Sequence, residues 1–157
     1  MNINEIWEQA DWTVDARNII DNLHKFPESS KIILILRHSH RNEPKILKKI
    51  HKLRLTPQGH VIAKKFGENL PKSRPIRLYH SIIWRCEETA EEIHDGFKNI
   101  GGKSELKGVC PPLYDIGIYN EELIEEFLKQ PFHEILFRWA TGFYLPEEWA
   151  SFSLFTL

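Results

Sequence analysis

An α/β layered domain is the fold class this sequence predicts, and two observations predict it. Residues 32–36, Ile-Ile-Leu-Ile-Leu, form an uninterrupted apolar run. The run is far too short to cross a membrane, and its uniformity fits a central strand covered on both faces, as in a parallel sheet. Around it, helical and strand patterns alternate along the chain, the arrangement that builds right-handed crossovers.

Each element has its own warrant. Residues 13–24 set Ala16, Ile19, Ile20 and Leu23 on one face ahead of Pro27, which reads as an amphipathic helix. Thr56-Pro57 places an N-cap residue before a proline at the first helical position, with Ile62, Phe66 and Leu70 following at intervals of four, and predicts a helix over 57–70. Residues 76–79 alternate around Arg77 after Pro71 and Pro75, and read as a second strand. Residues 87–100 align Ala90, Ile93, Phe97 and Ile100 in one stripe, crowd Glu87, Glu88, Glu91 and Glu92 toward the favourable end of the dipole, and stop at Gly101-Gly102. Asn120 then caps a further helical segment carrying Leu123, Ile124, Phe127 and Leu128 before Pro131.

At 157 residues the chain is long enough to bury a core without disulfides or metals. No linker, repeat or low-complexity tract divides it, so one domain over 1–157 is expected. Its 21 Lys and Arg against 22 Asp and Glu leave a formal charge of -1, which provides no global field to recruit nucleic acid or an anionic membrane. Two cysteines, Cys86 and Cys110, suit a reducing compartment. Glu5, Glu8 and Asp11 stand where a signal peptide would be basic and then apolar, so a cytoplasmic protein is expected.

Chemistry concentrates where the run 32–36 leads into Arg37-His38-Ser39-His40-Arg41. Ligands of open α/β sheets bind outside the carboxyl ends of strands, so a polar cluster there is a candidate site by position. A neutral imidazole can attack phosphorus, and guanidiniums can hold phosphate oxygens in pairs and neutralise charge in the transition state. On these residues alone, an anion site and a merely solvated strand end fit equally well.

Three motifs in order make the sequence resemble the histidine phosphatase superfamily, the phosphoglycerate mutase-like or histidine acid phosphatase-like proteins. The family's Arg-His-Gly is similar to Arg37-His38-Ser39, and its Leu-Thr-x-x-Gly to Leu55-Thr56-Pro57-Gln58-Gly59. Its Ser-x-x-x-Arg-x-x-x-Thr-Ala is similar to Ser81-Ile82-Ile83-Trp84-Arg85-Cys86-Glu87-Glu88-Thr89-Ala90. The resemblance implies a three-layer, phosphoglycerate mutase-like α/β sandwich, with a mostly parallel central sheet and helices on both faces. It implies phosphoryl transfer with no cofactor or metal, with phosphomonoester hydrolysis favoured over mutase activity and a phosphorylated small molecule or phosphoprotein as substrate. His38 would be the phosphorylated histidine and Arg37, Arg41 and Arg85 the phosphate-binding arginines. Asp115, in Leu113-Tyr114-Asp115-Ile116-Gly117, is the candidate proton donor, although an ordinary turn aspartate beside Pro111-Pro112 fits as well.

The sequence also departs from the family. Ser39 replaces a glycine, Pro44 stands three residues after Arg41 instead of two, and no histidine follows Trp139. The family's second catalytic histidine therefore has no counterpart, and the chain reads as a domain without the usual C-terminal catalytic segment. Residues 149–157 carry no charge; Trp149, Phe152, Leu154 and Phe155 among them are expected to be buried, against this domain or in a homo-oligomer. Two rivals remain: a metal hydrolase built on the His38-x-His40 pair, and a catalytically inactive pseudophosphatase or phosphate-recognising binding protein that keeps the arginines.

Overall fold

The computed structural model describes residues 3–42, 52–113 and 134. Asp115, the expected helix near 120–128 and the apolar residues 149–157 lie outside the described residues. The chain divides into two compact units, Met1–Cys110 and Pro111–Leu157. In the second, the described residues are the 3-10 turn Pro111–Leu113 and Glu134. The first contains α1 (Ile3–Gln9), a 3-10 turn (Asp11–Thr13), α2 (Val14–Leu23), α3 (Pro57–Asn69), β1 (Ile76–His80), α4 (Trp84–Asn99) and β2 (Ser104–Val109).

Local chemistry accounts for the helix ends. Thr56 caps α3, its hydroxyl oxygen accepting the Gly59 N–H at 3.0 Å, and Pro57 supplies the first turn without leaving a donor unsatisfied. Helix α4 begins at Trp84, ahead of the expected Glu87, because the turn after β1 is short: the Ile83 N–H reaches the Ser81 hydroxyl at 3.4 Å and the helix starts at once. It stops at the left-handed Gly101, as the sequence predicts. Buried Thr13 ties α1 to α2, its hydroxyl lying 2.9 Å from the Trp7 carbonyl and 2.7 Å from that of Ala10. The Arg17 guanidinium donates to the same Trp7 carbonyl and to the Thr13 hydroxyl, so carbonyls left open at the end of α1 find partners.

The apolar stripes of these helices meet in one core: Ile6 and Trp7 from α1, Leu23 from α2, Ile62, Ala63 and Phe66 from α3, and Ile93 and Phe97 from α4. Phe97 is fully buried, and burial of a side chain of that size contributes about 1.5–3 kcal/mol. Helices α3 and α4 approach so closely that a Cβ on Gly96 would stand 2.1 Å from the Lys64 carbonyl oxygen, so glycine is required at the crossing.

The β1–α4–β2 sequence forms a parallel crossover, with Ile76 opposite Ser104 and Leu78 opposite Leu106. Strand β2, Ser-Glu-Leu-Lys-Gly-Val, is absent from the sequence-based expectation, because its polar alternation and inner glycine resemble a loop. Ile76 and Leu78 of β1 pack on the helical core, whereas Arg77 and Tyr79 on the other face are exposed. The described elements are thus an α/β arrangement with a small parallel sheet. Among the described residues no helix is long and apolar enough to cross a membrane.

Residues 32–36 correct the sequence expectation. They carry no strand assignment, and Ile33 and Ile35 are 83% and 80% exposed, whereas Leu34 and Leu36 are each 39% exposed and Ile32 packs against the core. Exposure alternates with a period of two, as in an extended chain sheltered on one side. Uniform apolarity predicts cover on both faces; among the described residues, the core shelters only one.

Candidate active site

The loop 37–41 lies where the extended segment meets the first turns of α3 and α4, and its backbone is held from both. The Ser39 N–H donates to the Thr89 hydroxyl at 3.0 Å, and that hydroxyl donates to the Arg85 carbonyl at 2.7 Å. On the other side the Ser39 hydroxyl donates to the Gly59 carbonyl at 2.7 Å. The Thr56 N–H donates to the His40 carbonyl at 3.0 Å, and Arg41 forms an antiparallel bridge with Leu55. A Cβ on Gly59 would stand 2.1 Å from the His40 carbonyl oxygen, so glycine is what lets the loop lie flat on α3.

These contacts give work to residues that sequence comparison quotes only as matching letters. Thr56, Gly59 and Thr89 of the second and third motifs hold the loop of the first. Ser39, the departure from glycine, uses its side chain for one of the ties. Contact with the N-terminal helices has no signal in the sequence: the Trp12 ring lies 5.1 Å from the His40 ring, centre to centre, at 34°.

His38 Nδ1 lies 2.8 Å from the Ser39 carbonyl oxygen. A carbonyl only accepts, so Nδ1 carries the hydrogen and Nε2 of the neutral ring keeps its lone pair. Burial lowers the His38 pKa to about 4, helped by the positive charges of Arg85, Arg37 and Arg41 and opposed by the hydrogen bond to Ser39. Arg85 is itself held below its ordinary value, first by burial and then by Arg41 and Arg37, against an opposing effect of Cys86. The structure therefore brings Arg37, His38, Arg41 and Arg85 within electrostatic reach of one another. Arg41 is buried and Arg37 exposed. Three guanidiniums repel one another and depress protonation of the imidazole among them, and a dianion placed there would relieve both effects.

The two histidines of the His38-x-His40 pair have different surroundings. His40 Nδ1 lies 2.8 Å from the Thr56 hydroxyl, and its ring faces Trp12. Among the described residues no group of three or more His, Cys, Asp or Glu side chains is placed to hold a metal ion. Glu88, a conceivable partner for Arg85, instead receives the Arg54 guanidinium at 2.5 Å and the Leu55 N–H at 2.9 Å. Of the two strand ends expected to carry the cluster, only that of β1 is a strand.

The family model described as histidine phosphatase superfamily (branch 1) matches residues 33–134, well over half of the chain. Nothing among the curated proteins or the solved structures matches it.

Proposed function

Because the chain belongs to the histidine phosphatase superfamily, a family of phosphoglycerate mutase-like α/β fold and phosphoryl-transfer chemistry through phosphohistidine, we propose that it is a phosphomonoester phosphatase with His38 as nucleophile. The observation that carries this reading is the state of His38: neutral, held through Nδ1 on the Ser39 carbonyl, and surrounded by the charges of Arg37, Arg41 and Arg85. In the proposed reaction the Nε2 lone pair forms a bond to phosphorus as the bond from phosphorus to the leaving oxygen breaks. The arginines hold the other phosphoryl oxygens throughout. We assign protonation of the leaving oxygen to Asp115. Water then attacks the phosphohistidine, giving its proton to the Asp115 carboxylate, and releases phosphate and free imidazole. For the fold we propose the three-layer sandwich of this family, with helices on both faces of its sheet.

Hydrolysis of 4-nitrophenyl phosphate followed against pH tests the proposal. An unperturbed histidine would lose its nucleophilic lone pair below about pH 6.5, whereas His38 takes up its proton only near 4. Turnover is therefore expected to persist at pH 5, since kcat/KM follows the ionisation of the free enzyme. Absence of hydrolysis at every pH would contradict the proposal, and an acid limb centred near 6.5 would contradict this account of His38. The same shift acts on stability. The unfolded chain binds the proton near its ordinary pKa and the folded chain only near 4, so acidification through that window favours unfolding.

A further inference from the structure

Arg41 is the buried member of the arginine cluster, and its charge reaches both His38 and Arg85. Its backbone is paired with residues 55 and 56. Arg41 bridges Leu55, and the Thr56 N–H closes the bridge on the His40 carbonyl at 3.0 Å. In an antiparallel pair joined this way, the backbone groups of the two facing residues point outward. The Leu55 N–H therefore turns away from Arg41 and needs another acceptor. The Glu88 carboxylate supplies it at 2.9 Å, reaching across from α4.

Glu88 makes this tie with its charge already matched. Its side chain is only 11% exposed and receives the Arg54 guanidinium at 2.5 Å, and the centre of that guanidinium lies 4.4 Å from the centre of the Trp84 ring. The next residue of α4, Thr89, accepts the Ser39 N–H. Helix α4 thus holds the two segments that pair at Arg41, the loop 37–41 through Thr89 and residues 54–56 through Glu88, and it carries Arg85 itself. A shift of residues 54–56 against α4 would move Arg41 against Arg85.

We propose that Glu88 is a positioning residue of the phosphate site: through the Leu55 N–H it fixes the segment opposite Arg41 and so sets the placement of Arg41 against Arg85. The inference rests on the reading of Arg41 and Arg85 as phosphate ligands. Calorimetry with orthophosphate on the full chain, paired with NMR titration of the His38 imidazole, tests it. Glu88→Ala is expected to weaken orthophosphate binding about tenfold, the scale of one hydrogen bond to a charged group. It should also raise the His38 pKa, because Arg41, one of the charges opposing protonation, is no longer held in place. Glu88→Gln keeps a side-chain oxygen for the Leu55 N–H and should recover most of the affinity. Glu88→Asp keeps the charge but shortens the reach by one methylene, so it should weaken binding as alanine does, and it carries the test if Glu88→Ala does not fold. A residue that only stabilised α4 would lower the Tm and leave phosphate affinity and the His38 titration at their wild-type values. That result, or a Glu88→Gln variant binding no better than Glu88→Ala, would overturn the inference while leaving the phosphate site standing. Failure of orthophosphate to bind the wild-type protein would overturn the phosphate site, and the inference with it.

Discussion

Replacing His38 by alanine is expected to reduce turnover of an aryl phosphomonoester by about 10⁴-fold or more, because the substitution removes the atom that would form the covalent bond in the proposed reaction. His40, the other histidine of the loop, is engaged with Thr56 and Trp12. Orthophosphate affinity should survive, since the three arginines remain and the loop is held through Ser39, Thr56, Gly59 and Thr89 and not through the imidazole. Steady-state assays with calorimetric phosphate binding check both halves. Turnover within tenfold of the wild type would exclude His38 as the nucleophile.

The second large effect is expected at Arg85. Its guanidinium is partly desolvated and lies within electrostatic reach of His38, Arg37 and Arg41. In the proposed reaction, a cation held there would act on the phosphoryl group both when substrate binds and as charge redistributes during transfer. Arg85→Ala should therefore raise KM and lower kcat together, with kcat falling by about 10²–10³-fold, the scale of losing one preorganised donor. It should also raise the His38 pKa, since one of the charges opposing protonation is gone. A rise in KM with kcat unchanged would restrict Arg85 to ground-state binding.

How much of this was legible in the sequence depends on how local each cause is. The α3 start was legible, because Thr56-Pro57 contains its own cap and first turn, and so was the β1 run, because Ile76 and Leu78 alternate with Arg77. Residues 32–36 were over-read: apolarity reports a preference for burial but not whether both faces receive cover. Strand β2 was missed for the converse reason, since its pairing with β1 depends on the crossover through α4 and not on its own composition. At the site, Arg37, His38 and Arg85 were legible in the motifs and Arg41 in the cluster beside them, whereas the ties of Thr56, Gly59 and Thr89 to their loop are contacts between distant segments that the structure supplies. The Trp12 contact with His40 and the Arg54–Trp84 pair are long-range packing that no local pattern encodes.

The central claim is that His38 carries the phosphoryl group, and rapid quenching after mixing the protein with phosphorus-labelled aryl phosphate tests it most directly. The account predicts one label per chain at most, formed before phosphate is released, stable in base, lost in acid, located on His38 and absent from His38→Ala. Turnover of the aryl phosphate with no label on His38 at any time, or phosphate binding with no label at all, would contradict it.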